Sequence, residues 1–310
     1  MRATWDGLDS TAWDRLHRTA AGALQQDWAY GEAMSSLGTP VLRAWVDDGG
    51  EPVGAASFLV RRIGGLLPVA LCSHGPVWSP GTPPARQAEA LRAIRASAPL
   101  RRPRVLLYTP DAPLDAAAGA YASMRRVMTG HSTVRIDLAR EPDAIRAAMH
   151  GKWRNRLAAA ERSALKVERV GGRPAQYRWL LERELAQRER RGYIALPDGF
   201  VEAWQRARAA TKGGGEPLLT LRADLGRDAV AGMLFLVHGE AATYQVGWVG
   251  DGGRELGAHN LLLWRAMLAL RERGVRVLDL GGVDTGRGAG LARFKIGTGG
   301  EVVTLAGVYA

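Results

Sequence analysis

The sequence predicts an α/β protein built from two related units, each a mixed sheet flanked by helices. Three observations carry that expectation. Two hairpin patterns recur at a fixed offset: Leu42 with Leu219, Asp47 with Asp224, Gly49 with Gly226, Val53 with Val230 and Phe58 with Phe235 are each 177 apart. The stretch between them, 143–210, reads as helical almost throughout. After the second hairpin come a strand, a helix, a further strand and a glycine-rich loop, ending at Phe294-Lys295. Recurrence at a constant spacing marks an internal duplication; two generic hairpins matching by chance is the competing account. The units are expected at 1–140 and 141–310, the second opening with the basic helical segment 143–210.

Taken in order, 11–36 reads as one helix, because Trp13, Leu16, Ala20 and Leu24 share a face. Residues 41–46 and 53–60 read as strands around the turn Asp47-Asp-Gly-Gly50. A strand at 66–72, a loop at 80–84, a helix at 85–98 and a strand at 104–109 complete the first unit. Helices follow at 143–149, 153–165, 175–191 and 199–210, closed by Thr211-Lys-Gly-Gly-Gly-Glu-Pro217. Strands return at 218–223, 230–237 and 242–248, then a helix at 257–274 and a strand at 275–280. A short strand ending at Tyr309 closes the chain.

At 310 residues and 46% apolar content, the chain can bury a sizeable core. Its net charge of +11 favours polyanionic partners: nucleic acid, phosphorylated substrates or an anionic membrane surface. An arginine-rich coding bias accounts for the same number without any partner. Only four of the 42 basic residues are lysine, namely Lys152, Lys166, Lys212 and Lys295. Lysine can lose its proton and arginine cannot, so each lysine draws notice in such a chain. One cysteine, Cys72, rules out an internal disulfide and points to a reducing compartment. No apolar run approaches the roughly 20 residues that span a bilayer. The expectation is a cytoplasmic protein, open to peripheral membrane association.

The six histidines lack metal-ligand spacing, and no metal is expected. There is no nucleophile elbow and no Walker loop. Lys152 and Arg156, four apart, share a helix face that can hold phosphate or simply be solvated. Arg254-Glu-Leu-Gly-Ala-His259 sits between a strand and a helix. It approaches the R/Q-x-x-G-x-G/A loop of Gcn5-related acyltransferases, whose backbone N–H groups hold the pyrophosphate of an acyl-CoA. His259 stands where that loop has glycine or alanine, which sets the fold signal against CoA binding. An ordinary strand-to-helix turn is the plainer reading.

Longer motifs are arranged in a recognisable order: Leu24-Gln-Gln-Asp-Trp28, Gly75-Pro-Val77, Lys152-Trp-Arg-Asn-Arg156 leading to Lys166-Val-Glu168, and Gly257-Ala-His-Asn-Leu-Leu262. Leu278-Asp-Leu-Gly-Gly282, Phe294-Lys-Ile-Gly-Thr-Gly-Gly300 and Gly307-Val-Tyr309 follow. In order and spacing the chain resembles the FemABX family of peptidoglycan interpeptide-bridge aminoacyltransferases. That resemblance implies two Gcn5-related N-acyltransferase (GNAT) units in tandem. It implies transfer of an amino acid from aminoacyl-tRNA to an amine of a peptidoglycan precursor or related peptide, with no cofactor. By the same resemblance, Lys295 neutralises the tetrahedral oxyanion and Phe294 shapes the pocket. Tyr244, Arg191 and Tyr193 fall where the family holds the precursor's phosphates; Lys152, Arg154 and Arg156 supply further substrate-binding charge. Arg254, Gly257, His259 and Asn260 are the donor-side residues. The long coiled-coil arm of some members has no counterpart here. Two other functions stay open on the residues: an acyl-CoA-dependent GNAT acyltransferase, and a non-catalytic RNA-binding module.

Overall fold

Alternating apolar residues and tight glycine turns set two sheets, described here unit by unit. The computed structural model describes all residues except Asp6, Ile194, 212–214, Thr285 and Arg287, and not the side chain of Arg191. In chain order the first elements are β1 (Arg2–Thr4), α1 (Ser10–Thr19), a 3-10 turn (Leu24–Gln26), α2 (Trp28–Ser36), β2 (Val41–Asp48), β3 (Glu51–Ile63) and β4 (Leu67–Ser73). Next are β5 (Val77–Trp78), α3 (Pro84–Ser97), β6 (Val105–Thr109), α4 (Leu114–Tyr121), β7 (Arg126–Met128), β8 (Ser132–Asp137), α5 (Pro142–Ala148), α6 (Gly151–Glu161) and β9 (Leu165–Val170). Then come α7 (Pro174–Arg191), α8 (Phe200–Ala210), β10 (Leu218–Leu225), β11 (Asp228–His238), β12 (Ala241–Val249) and α9 (Asp251–Glu255). The last are α10 (Ala258–Glu272), β13 (Val277–Gly282), α11 (Ala289–Ile296), β14 (Glu301–Thr304) and β15 (Val308–Tyr309).

The two sheets repeat one plan. Unit 1 has the order β1-β2-β3-β4-β6-β15-β7, with β5 on β3; unit 2, read in the same sense, has β9-β10-β11-β12-β13-β8-β14. The hairpin match seen in the sequence extends to register. Leu42 faces Phe58, and Leu219 faces Phe235. A bulge falls between Val46 and Asp47, and its counterpart between Ala223 and Asp224. A coincident bulge is a specific feature, because one extra residue re-aims every side chain beyond it. Each sheet also has a parallel pair bridged by a crossover helix: Val69 beside Val105 around α3, and Ala241 beside Val277 around α10.

The compact units are Met1–Ser132, Pro197–Gly214 and Val303–Ala310 on one side, and Thr133–Leu196 with Gly215–Val302 on the other. This differs from the 1–140 and 141–310 division read from the sequence. Strand β8 lies in the second sheet, while β15, at the end of the chain, sits between β6 and β7 in the first. Helix α8, expected in the second unit, packs in the first. Phe200 packs tilted against Tyr30 with ring centroids 5.3 Å apart, and Trp204 is fully buried. Arg208 reaches Asp14 at 3.2 Å and Asp27 at 3.3 Å.

Three further expectations change. The single helix at 11–36 is broken at Ala21, whose φ is 47°, and restarts with Asp27 accepting from Ala29 N at 2.8 Å. The break puts Gln26 inside the sheet, where its Oε1 accepts from Ser57 N at 2.8 Å and its Nε2 donates to Ser73 O at 2.7 Å. The helix at 153–165 stops at Glu161. Ser163 Oγ bonds Ala160 O at 2.7 Å, a local turn that competes with helical bonding. Leu165 then opens β9, which pairs with β10. Phe294 and Lys295, expected just beyond a loop, lie on α11. The expected loop at 211–217 is described only at its ends, and Lys212 lies outside the described residues.

The buried Arg208 generates a prediction. Arg208→Met strands Asp14 and Asp27 without their countercharge, and should cost about 3–5 kcal/mol of stability. Urea denaturation measures it; a loss below about 1 kcal/mol would mean that the carboxylates are solvated.

Candidate active site

The two parallel pairs differ in one respect, and the cleft follows from it. In unit 1, β4 and β6 stay paired from Val69↔Val105 to Ser73↔Thr109. In unit 2, β12 and β13 pair only from Ala241↔Val277 to Thr243↔Asp279. Beyond that point the strands separate, and a cleft of about 580 Å³ opens between them. Tyr244, Gln245 and Gly247 of β12 line one wall, and Leu280 and Gly281 of β13 the other. The first turn of α10, helix α11 and the end of α7 complete it. Unit 1 holds a smaller pocket of about 300 Å³ beside His74 and Asp111, whose Nδ1 and Oδ1 are 2.8 Å apart.

Lys295 is 6% exposed. Its Nζ donates to Gly282 O at 2.8 Å. Burial lowers its pKa to about 8, against a smaller opposing pull from Asp279. At pH 7 about nine in ten such groups are charged. Gly281 (φ +74°) lies next to the ammonium; a Cβ there would be 3.7 Å from Nζ. Asp279 shapes the turn. Its Oδ1 accepts from Gly281 N at 2.6 Å and from Thr133 Oγ1 at 2.5 Å. Helix α11 is pinned by Trp153, whose Nε1 donates to Phe294 O at 3.1 Å and whose ring lies 5.9 Å from that of Phe294. Phe294 also meets His259 at 6.0 Å, so one aromatic ring forms cleft wall and core together.

Opposite stand two tyrosines. Burial raises the Tyr244 pKa above the usual range, with Tyr193 and Glu184 adding to the effect. It is therefore a neutral phenol at physiological pH. Gly247 gives it room: a Cβ there would sit on the Tyr244 hydroxyl. Tyr193 donates to Glu184 Oε1 at 2.9 Å and accepts from Gln187 Nε2 at 3.3 Å. Arg191 ends α7, and its side chain lies outside the described residues.

The loop before α10 lines the cleft and is braced by neighbouring side chains. Gly257 is left-handed (φ +71°), and a Cβ there would meet Arg156 Cγ at 3.0 Å. The Arg156 guanidinium donates to Arg254 O. His259 turns back so that its Nε2 donates to Trp248 O at 2.9 Å. That bond places the proton on Nε2 and leaves Nδ1 an acceptor. Burial lowers the His259 pKa to about 4, so the ring is neutral. Asn260, buried, lines the same wall.

Nine of the residues singled out from the sequence thus share one cleft: Lys295, Phe294, Tyr244, Tyr193, Arg156, Arg254, Gly257, His259 and Asn260. Lys152 and Arg154 are outside its lining. Arg154 Nη1 donates to Ala147 O at 3.2 Å and Met149 O at 3.3 Å, capping the end of α5, and Lys152 is solvent-exposed. Sequence reasoning missed Glu184, Gln187 and Asp279. An aspartate among the apolar residues of 277–280 was the available signal for the last. Glu184 and Gln187 are three apart on α7 and become neighbours only through its turn. Among the described residues no three His, Cys, Asp or Glu side chains converge to hold a metal ion.

Residues 151–295, a span that includes most of unit 2, match the acetyltransferase (GNAT) domain family. No curated protein matches the chain. Among solved structures, FemX superposes with a TM-score of 0.83 at 15% identity, covering 100% of this chain and 96% of its own. L-PGS from Bacillus licheniformis gives 0.56 at 12% identity, covering 97% and 90%. A tandem GNAT protein from the clavulanic acid biosynthesis pathway gives 0.52 at 16% identity, covering 99% and 98%. The chain has the tandem GNAT fold of FemX, and the FemABX resemblance holds at the level of fold from end to end.

Lys295 can be tested without any substrate. Its folded-state pKa lies below that of a free lysine, so the unfolded chain holds more protons between about 8 and 10.5. Stability therefore rises with pH across that window. Lys295→Met should flatten the rise and should exceed the parent's stability below it, by about 3 kcal/mol at most. Urea denaturation on both sides of the window reads the difference; equal slopes would put the ammonium in water.

Proposed function

We propose that this protein is an aminoacyl-tRNA-dependent N-aminoacyltransferase. It forms a peptide bond on an amine of a peptidoglycan precursor or a related peptide. The observation that carries the reading is the make-up of the cleft. A buried ammonium lines the same cleft as a helix-entry loop whose last motif position is His259, where the acyl-CoA loop has glycine or alanine. A CoA pyrophosphate needs that loop open to its backbone N–H groups. The full-length likeness to FemX supports the same choice.

In this reading the acceptor amine attacks the ester carbonyl of the aminoacyl-tRNA. The new C–N bond forms, the carbonyl oxygen takes up negative charge, and the C–O bond to the ribose then breaks. The amine's proton ends on the departing ribose oxygen. Lys295, charged at neutral pH, meets the oxyanion. Phe294 walls the acyl pocket, while Tyr193 and Tyr244 offer hydroxyls, and Arg156 and Arg254 charge, to substrate phosphates. The protein's own residues supply these roles, with no metal or redox group.

A second reading keeps the fold and changes the donor to an acyl-CoA. The pattern Arg254-x-x-Gly257 ahead of α10 favours it. One assay separates the two. Purified protein is incubated with labelled aminoacyl-tRNAs and a peptidoglycan nucleotide-pentapeptide, and in parallel with labelled acetyl-CoA. RNase-sensitive label on the precursor supports the proposal; label from acetyl-CoA alone replaces it with the second reading. Lys295→Ala should lower turnover about 100-fold or more with substrate binding kept. In the parent, turnover should fall as pH rises through about 8, where the ammonium discharges.

The tRNA contact has its own signature. Affinity for tRNA should fall steeply with salt, because each neutralised phosphate releases counterions. A flat dependence in filter binding would remove tRNA from the account.

A further inference from the structure

One end of the unit 1 sheet is apolar at its tip and ringed by arginine. Strands β3 and β4 pair from Leu59↔Leu71 to Ile63↔Leu67. The turn uses Gly64 and Gly65, both left-handed (φ 58° and 73°), which glycine adopts without strain. It leaves Ile63 64% and Leu66 89% exposed. Strand β4 runs parallel to β6 with Val69 opposite Val105. The segment preceding β6 therefore lies at the same end as the hairpin turn. It carries Arg101 and Arg102, exposed like Arg61 and Arg62 on the hairpin.

Nearby Arg104 is consumed by structure, donating to Arg95 O at 2.7 Å and Ala98 O at 2.8 Å. Among the described residues, no acidic side chain pairs with any of the other four. From 52 to 110 the chain has one acidic residue, Glu89. Two large aliphatic side chains flanked by unpaired cations fit a surface with an apolar interior and anionic groups above it.

We propose that this end of unit 1 docks on an anionic lipid bilayer. Ile63 and Leu66 enter the boundary between headgroups and acyl chains, and Arg61, Arg62, Arg101 and Arg102 meet lipid phosphates. A nucleic acid would use the arginines but gives the two aliphatic chains no apolar medium. A second copy of the chain would bring the same four positive charges into opposition. Among the described residues no helix is long and apolar enough to cross a membrane, so the contact is peripheral. Each basic side chain near an anionic surface strengthens partition about fivefold.

Vesicle flotation of the full chain tests the proposal. The vesicles are phosphatidylcholine alone, or phosphatidylcholine with one third phosphatidylglycerol. The protein should float with the anionic vesicles and stay behind with the neutral ones. Arg61→Gln with Arg62→Gln should weaken binding about 25-fold, and Ile63→Ser with Leu66→Ser should abolish it. All four positions are exposed, so the variants should melt like the parent, which thermal denaturation checks. Because Cys72 is buried, a Leu66→Cys variant takes an environment-sensitive fluorophore at the tip, whose emission should shift to the blue on anionic vesicles. The proposal is overturned if the parent does not float, or if the Ile63/Leu66 variant floats as well as the parent. Loss of RNA binding in the arginine variant with vesicle binding intact would assign the patch to nucleic acid instead. A tip-dependent dimer in sedimentation, without flotation, would assign it to self-association.

Discussion

The separation of β12 from β13 is the constraint on which the rest of the second unit depends. A parallel pair that stays closed satisfies its own backbone groups and leaves no room between the strands. Here pairing stops after Thr243 and Asp279. A bulge between Leu234 and Phe235 lies where β11 meets β12, and another between Asp279 and Gly282 where β13 meets β8. Each bulge re-aims one flank of the gap. Asp279 then holds the departing strand through Gly281 N, so the turn that presents Gly282 O to Lys295 is fixed by the same side chain. The closed pair β4–β6 of unit 1 shows the alternative outcome of the same topology.

Lysine suits this position for the reason that makes it costly. Burial disfavours the charged form, and the shift to about 8 leaves the group charged at neutral pH yet close to its midpoint. A backbone carbonyl is its hydrogen-bond partner, with Asp279 a more remote attraction. Bound among the described residues only to a neutral oxygen, the ammonium keeps its charge for a developing anion. An arginine would bring a broad planar fork where the gap admits a point charge.

The net charge of +11 also reads differently once the arginines are located. Arg104 and Arg154 cap helix ends through backbone carbonyls, Arg208 bridges the buried Asp27 and the half-buried Asp14, and Arg273 holds Leu218 O at 3.0 Å. These guanidiniums are structural. Other arginines face the cleft, Arg156 and Arg254 among them, and four are exposed at the hairpin end of the first sheet.

The sequence by itself determined what local periodicity and repetition encode. Both hairpins, their offset, the α10–β13 crossover and the isolation of Lys295 in an arginine-rich chain were all legible, because alternation, glycine turns and residue counts are local signals. Nine of the cleft residues were found too, since they lie in short sequence motifs. Tertiary structure alone decided the rest. Helix α8 has the same helical pattern in either unit, and only its tertiary contacts, Phe200 against Tyr30 and Arg208 with Asp14 and Asp27, assign it to the first. The places of β8 and β15 depend on hydrogen bonds to strands far away in the chain. Lys152, Arg154 and Arg156 share one basic helical turn, and which of them faces the cleft was set by how α6 packs its Trp153 against Phe294. Register and packing arise from contacts distant in sequence, and a local pattern carries no record of them.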